Sequence, residues 1–414
     1  MVVPSLLRED PRFRRFWLGQ SISLLGDQIS LIALPLVAVL ALDANAAQMG
    51  YLVAAELAPN LLFSLHAGAW ADRRTRKRQT MIATDMGRVL LVGSIPVAYV
   101  LDALTFPHML VVAFLMGTLS VLFQVSYSSL FVTIVPRERF LEGGSIMHGS
   151  RAFSYVAGPS IGGLLVQVLS APAALVADAC SYVLSALCLR TVEAVEPEPE
   201  PPGKGHVLSG IRFVMGSPIV RAALGATATI NFFNFVFFAL FILYATRSLD
   251  IAPGTLGLVL GAGAVGSVIG SLVTARVARR IGIGAAFALG CVLFPAPLIL
   301  VPLAGGADWV VLACLFAAEF GSGMGVMILD ISVGTIFAAV IPHRLRSRVS
   351  GAYMVVNYGV RPLGALVGGA LGSWIGLRET LWIATVGALA GVLWLLPSPI
   401  LGLRTLPEPE DGGA

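Results

Sequence analysis

The chain has 414 residues, of which 57% are hydrophobic and only 12% are charged. Soluble globular proteins carry about 25% charged residues, so this composition excludes an ordinary water-soluble enzyme or binding domain and predicts an integral membrane protein. The net charge of +4 does not indicate a nucleic-acid partner, because the cations lie in short loops between apolar runs, a pattern that sets membrane topology.

Twelve apolar segments have the length and composition of membrane-spanning helices. A helix needs about 20 residues to cross a bilayer, and prolines, glycines and charges separate one segment from the next. The segments lie near residues 16–40, 49–70, 79–101, 108–134, 144–169, 173–190, 219–244, 254–276, 283–303, 308–339, 349–372 and 379–397. The predicted fold is therefore all-α, with twelve transmembrane helices.

The basic residues predict the orientation of these helices. Five cations occupy six positions in the run Arg73–Arg78, and most other cations fall in loops on the same side. The loops on the opposite side hold only Arg247 and Arg378. Because cytoplasmic loops are enriched in Lys and Arg, we expect a multi-pass protein of the cell membrane with both termini in the cytoplasm.

A linker divides the chain into two halves. Residues 191–218 include the acidic, Pro-rich stretch 192–203, which is typical of an extended linker, followed by a helical pattern that predicts a short helix on the membrane surface. We expect six-helix bundles at 1–190 and 219–400 and a disordered cytoplasmic tail at 401–414.

The two halves resemble each other in sequence. An offset of 206 residues aligns Gly158 with Gly364, Gly162 with Gly368 and Gly163 with Gly369, and an offset of 207 aligns Gly50 with Gly257. Such repeats are typical of secondary transporters, whose substrate site lies between the repeats near the middle of the membrane.

The second loop carries a family signature. Gly68, the pair Asp72-Arg73 and the following basic cluster resemble the loop 2–3 signature of the major facilitator superfamily, although Thr75 replaces the usual Gly. In that family this loop latches the outward-facing state, so the resemblance implies a cytoplasmic gate made of Gly68, Asp72, Arg73, Arg76, Asp85 and Arg88. The alternative is a basic loop that only sets the topology.

The fifth segment carries a second signature. Its residues Ser154, Gly158, Pro159, Gly162 and Gly163 resemble the antiporter motif of the same family, with Ser154 in place of a Gly. In the family this motif marks exporters more than importers. The alternative is close packing of small residues with no bearing on transport direction.

Three further elements narrow the resemblance. They are Gly26-Asp27-Gln28, the pair Asp85 and Arg88, and Asp178-Ala-Cys-Ser181. With the two signatures, they are similar to the exporter branch that includes enterobactin exporters and macrolide-efflux-type proteins. The resemblance covers essentially the whole chain, and it implies a fold of two pseudosymmetric six-helix bundles.

Acidic residues within apolar segments are candidates for proton coupling, since ionisable groups in a bilayer are costly and usually functional. The candidates are Asp27, Glu56, Asp178 and Glu319, with Asp27 preferred and Arg151 and Arg361 as counter-charges. For each acid the alternative is a structural hydrogen bond or ion pair.

Polar residues among aromatic ones predict a substrate cavity for an amphipathic ligand. The candidates are Gln124, Tyr127, Asn231, Asn234, Asn357, Tyr358 and Arg361. The alternative is that these side chains form interhelical hydrogen bonds that hold the bundle together.

The sequence has no phosphate-binding loop of the ATPase type and no His/Cys/Asp cluster with metal-ligand spacing. We therefore expect no enzyme activity, no metal and no cofactor. The predicted function is proton-coupled export of a small amphipathic compound, such as a drug, a macrolide or a siderophore-like metabolite, by a monomer. The alternatives are import of a small metabolite and a non-transporting membrane sensor.

Overall fold

The computed structural model describes residues 4–72, 76–192, 207–342 and 345–404, and for the helical residues 64–72, 207–211 and 347–348 it describes the backbone alone. This part of the chain is helical throughout and contains no strand. Eight of its helices are long and apolar enough to cross a membrane.

Twelve helices correspond to the twelve predicted spans and are numbered α1 to α12. In the first half they are α1 Pro11–Ala41, α2 Ala46–Asp72, α3 Lys77–Val100, α4 Phe106–Ile134, α5 Phe140–Val168 and α6 Ala171–Arg190. In the second half they are α7 Pro218–Arg247, α8 Pro253–Ile281, α9 Ile283–Leu303, α10 Asp308–Val340, α11 Arg346–Trp374 and α12 Leu377–Leu389. Short helices also occur at Ser5–Glu9 and, within the predicted linker, at Val207–Gly216.

Short polar residues and prolines set several helix starts. The Asp10 carboxylate accepts from the backbone N–H of Arg12 at 2.8 Å and caps α1, with Pro11 in its first turn. Ser217 caps α7 in the same way. A side-chain acceptor satisfies N–H groups that have no partner within the helix, and proline has no N–H to lose there.

Two of the predicted spans are less regular than expected. Segment 283–303 was predicted as one helix, but the α-helix stops at Leu293 and resumes after a 3-10 turn at Ala296–Ile299. Pro295 and Pro297 lack the N–H that an α-helix requires. In the last span the α-helix ends at Leu389 and tightens into a 3-10 helix, Ala390–Leu395.

The chain forms two compact units. The first contains α1, α3, α4, α5, α6 and most of α2, and also the segment Ile251–Gly261 at the start of α8. The second contains α7, α9 to α12 and the rest of α8, and also the segment Met49–Ala54 near the start of α2. The predicted bundle limits of 1–190 and 219–400 do not include this exchange of two segments.

The same helix pairs recur in the two units. In the first, α1 packs on α5 and α6 and α3 packs on α4; in the second, α7 packs on α11 and α12 and α9 packs on α10. Asp43 and Asp250, which follow α1 and α7, both have a φ of 52°. This left-handed conformation is rare except for Gly, Asn and Asp, so the two equivalent turns are built alike.

The aligned glycines occupy equivalent contacts. In the first unit a Cβ added to Gly257 would lie 3.1 Å from the Cα of Gly163, and in the second a Cβ added to Gly50 would lie 2.8 Å from the Cα of Gly369. At both places two backbones touch, which only glycine permits. The sequence repeat therefore reflects a repeat in three dimensions.

The N-terminal helix Ser5–Glu9 is docked on the first unit at the end where α1, α3 and α5 begin. Glu142 accepts from the backbone N–H of Leu6 at 2.8 Å and from the Ser5 hydroxyl at 2.9 Å. Arg139 pairs with Glu142 at 2.9 Å and with Glu9 at 3.1 Å. Leu6 is fully buried in the core below.

We predict that Gly162→Val destabilises the protein. A Cβ at Gly162 would lie 3.0 Å from the Cα of Ile29 in α1, and backbone atoms have little room to move, so overpacking should cost about 1–3 kcal/mol. Thermal unfolding in detergent measures the effect. Gly149→Val is the matched control, because no atom lies within 4 Å of its added Cβ; equal unfolding temperatures for the two variants would contradict the prediction.

We also predict that docking of the N-terminal helix depends on pH. Glu142 precedes the span predicted at 144–169. The hydrogen bond from the Leu6 N–H lowers the pKa of Glu142 below its ordinary value of 4.5. The ionised carboxylate therefore stabilises docking above pH 4.5, and this stabilisation is lost as the pH falls through the lowered pKa.

Hydrogen exchange of residues 5–9, corrected for the intrinsic effect of pH on amide exchange, measures this docking. Exchange should accelerate below pH 4.5, and in Glu142→Gln it should be several-fold faster at neutral pH. Glu138→Gln is the control, since Glu138 is exposed in the same turn and should leave exchange unchanged. Slow exchange in Glu142→Gln at neutral pH would contradict the prediction.

Candidate functional site

The middle of α1, residues 26–30, lies in close contact with both neighbouring helices. A Cβ at Gly26 would lie 2.7 Å from the Cβ of Ser181 in α6. On the other side, a Cβ at Gly158 in α5 would lie 2.9 Å from the Cγ of Gln28. Glycines that face a neighbouring helix allow this approach, and it fixes the position of Asp27.

Two carboxylates interact with this segment. Asp27 accepts a hydrogen bond of 2.6 Å from the hydroxyl of Tyr182 in α6. Asp178 is fully buried and accepts from Ser30 and, at 3.1 Å, from Ser181. The hydrogen bonds of both acids therefore join α1 to α6 or lie within α6.

A buried ion pair lies beside these acids. Arg88 and Asp85 in α3 are 4% and 0% exposed, with 3.5 Å between Nη1 and Oδ1. The guanidinium also lies over the ring of Phe123, 4.5 Å from its centroid, a favourable cation–π contact. The pair was predicted for a gate at the cytoplasmic face; the structure places it among the acids of the first unit.

The acids form an electrostatic cluster around Asp27. Its carboxylate interacts with those of Glu56, Asp85 and Asp178, and Arg88 interacts with Asp85 and Asp178. Asp85 and Asp178 are fully buried, Asp27 is half-buried and Glu56 is exposed. Buried carboxylates that outnumber the cations beside them are costly when all of them are ionised. This arrangement is suited to binding a proton.

The first unit contains a cavity of about 460 Å³, within the range of small-molecule sites. Its lining residues are Gln20, Ser23, Leu24, Asp27, Arg88, Ser120, Phe123, Gln124, Tyr127, Ser128, Phe131, Val132, Gly144, Met147, His148 and Arg151. The wall thus combines aromatic rings, hydroxyl and amide groups, one carboxylate and two guanidinium groups.

Of the residues predicted for the substrate cavity, Gln124 and Tyr127 line this one, together with Asp27 from the proton-coupling set. Gln20, Ser23 and His148 also line it but were not among the predicted residues. A signal was available, because Gln20, Ser23 and Asp27 are three and four residues apart and so share one face of α1.

The remaining members of the fifth-helix motif pack against other helices. Gly162 contacts α1 at Ile29, and Pro159 and Gly163 contact the start of α8 at Gly257. Ser154 is buried, 2% exposed. In this structure the motif holds α5 against α1 on one side and against the start of α8 on the other.

Three of the predicted gate residues lie outside the described part of the chain or its described side chains: Gly68, Asp72 and Arg73. Arg76 is exposed just before α3, and its Nη1 lies 3.5 Å from the side-chain oxygen of Gln79. Of the gate set, only the pair Asp85 and Arg88 has a described mutual contact, and it lies inside the unit.

In the second unit, the predicted polar residues bond mainly to each other. Asn231 donates to Asn357 at 3.1 Å and to the carbonyl of Thr227, and the Asn357 amide donates to the carbonyl of Tyr353. These contacts join α7 to α11. Asn234 lies elsewhere, beside a small void between α7, α9 and α12.

Arg361 in α11 lies over the ring of Tyr358, 4.3 Å from its centroid, and interacts electrostatically with Asp330. Glu319 in α10 lies against Gly263 of α8, with 3.2 Å between its Oε2 and an added Cβ. Arg151 and Arg361 form no ion pair with a described carboxylate.

The second unit does not repeat the acid cluster. The offset of 207 that relates Gly50 to Gly257 places Asn234 opposite Asp27, and the offset of 206 places Ala384 opposite Asp178. The helices are also in close contact at the equivalent place, where the ring of Phe233 in α7 packs against Gly387 in α12. At these two pairs of equivalent positions, only the first unit therefore has ionisable side chains.

Comparison with known proteins agrees with this architecture. The chain is 26% identical over 380 residues to the multidrug efflux pump Tap of Mycolicibacterium fortuitum, covering 86% of this chain and 88% of that one. Its fold is similar to the crystal structure of the nucleoside transporter NupG, with a TM-score of 0.80 and 10% identity over 93% of this chain and 99% of that one. It is also similar to a bacterial homologue of the iron transporter ferroportin, with a TM-score of 0.74 and 16% identity over 95% of this chain and 99% of that one.

These neighbours share the twelve-helix fold, which confirms the predicted fold class. The family model of the Major Facilitator Superfamily matches residues 16–365. The chain belongs to the Major Facilitator Superfamily.

Proposed function

We propose that this transporter exports small amphipathic compounds from the cytoplasm in exchange for protons, by alternating access. The observation that carries the proposal is the carboxylate of Asp27, which lines the cavity while it is hydrogen-bonded to Tyr182. It is thus the one acid of the cluster that lines the volume available to a substrate.

The acid cluster supports the choice of Asp27 as the proton site. Asp178 and Asp85 are fully buried and do not line the cavity, so a proton arriving through the cavity reaches Asp27 first. A proton there neutralises the charge that interacts with each of the other three acids. Because that charge also affects a substrate in the same cavity, binding of the proton and binding of the substrate are coupled.

The direction of transport has two supports. One is the fifth-helix motif, whose glycines hold α5 against the segment of α1 that carries Asp27. The other is the similarity to a multidrug efflux pump along most of both chains.

The excess of basic residues in one set of loops supports a cytoplasmic location for both termini.

We predict that Asp27→Asn abolishes proton-driven transport. Asparagine keeps the shape and an acceptor for Tyr182 but cannot take up a proton. In proteoliposomes with an imposed pH gradient, substrate flux should fall to the passive leak, while exchange of substrate without a gradient continues. Gradient-driven flux at the wild-type rate in this variant would exclude Asp27 as the coupling site.

Asp102→Asn is the matched control for this experiment. Asp102 is exposed after α3 with a φ of 51°, a conformation that asparagine also adopts, so the variant should transport like the wild type. Flux into the compartment that corresponds to the cytoplasm would instead favour an importer.

A further inference from the structure

The wall of the cavity in the first unit contains an arginine, Arg151, that has no ion-pair partner among the described residues. Arg88, the other cation of the wall, is paired with Asp85 at 3.5 Å. The charge of Arg88 is therefore matched by its own acids, and that of Arg151 is available to a ligand.

An organic cation fits this wall poorly. The Asp27 carboxylate is hydrogen-bonded to Tyr182 at 2.6 Å, and a cation bound beside Arg151 would be repelled by its guanidinium. His148, the remaining titratable group of the wall besides Tyr127, carries either no charge or a positive one. An anionic ligand therefore meets attraction where a cation meets repulsion.

The aromatic residues of the wall supply the apolar part of the site. Tyr127 is stacked on Phe16, with 5.6 Å between ring centroids, and lies 6.4 Å from Phe131. This row of rings presents flat apolar surface beside Arg151, whose charge interacts with Tyr127. Aromatic rings bind other rings in stacked or edge-on arrangements.

We propose that this cavity selects aromatic compounds that carry a carboxylate, with Arg151 as the residue that recognises the charge. The proposal rests on the proposed function, in that it assigns a substrate class to the same cavity. A guanidinium can bind a carboxylate through two parallel hydrogen bonds, while the row of Tyr127 and Phe131 receives the ring.

Three probes of matched shape test the proposal: naphthylacetate, naphthylethanol and naphthylethylammonium. Binding to the purified full-length protein is measured by ligand-induced thermal stabilisation. Naphthylacetate should bind most tightly to the wild type. Arg151→Gln should weaken its binding about ten- to hundredfold and leave naphthylethanol almost unaffected. Arg151→Lys keeps the charge but loses the two parallel hydrogen bonds, so it should weaken binding less than Arg151→Gln does.

Arg276→Gln is the matched control, since Arg276 is exposed on α8 and its guanidinium bonds to the carbonyl of Leu272; its affinities should equal those of the wild type. Three results would overturn the proposal: tighter binding of the ammonium probe, unchanged binding of naphthylacetate to Arg151→Gln, or binding of none of the probes. The preference of the wild type decides the question even if Arg151→Gln does not fold.

Flux measured on the same preparation separates this inference from the proposed function. Gradient-driven export of the ammonium or neutral probe, without export of naphthylacetate, would leave the proposed function standing and remove the substrate class. Binding of naphthylacetate that depends on Arg151, with no gradient-driven flux of any probe, would leave the site standing and remove proton-coupled export.

Discussion

The close approach of α1 to α5 and α6 is the constraint on which the candidate site depends. Gly26 allows contact with Ser181, and Gly158 and Gly162 allow contact with Gln28 and Ile29. Helices gain no hydrophobic free energy from each other in a lipid environment, so dispersion contacts and interhelical hydrogen bonds must hold them. Here the close packing provides the dispersion contacts, and Asp27 and Asp178 accept the interhelical hydrogen bonds.

The equivalent contact is built from different residues in the two halves. In the first half Gly26 of α1 packs against Ser181 of α6, and in the second the ring of Phe233 in α7 packs against Gly387 of α12. At both places one glycine allows the two helices to approach. With Asn234 and Ala384 at the positions equivalent to Asp27 and Asp178, the second unit has no carboxylates there, and the neutral amides of Asn231 and Asn357 join its helices instead.

Much of the fold was predictable from the sequence. Twelve apolar segments of spanning length indicate twelve helices, since backbone groups in a bilayer can be satisfied only within helices or closed barrels. The repeated glycines indicated two related halves, and Gly163 with Gly257 and Gly50 with Gly369 prove to be contacts. The break in α9 was missed, although Pro295 and Pro297 marked it, because hydropathy is insensitive to a missing N–H.

The sequence by itself determined which residues are ionisable, which segments are apolar and where glycines allow close contact, because these are properties of single residues and their spacing. Only the tertiary structure decided which polar groups meet. Asn231 pairs with Asn357 although 126 positions separate them, and Arg88 lies beside the cavity of the first unit. Such pairings depend on the rotation and depth of each helix, which many side chains set together through packing.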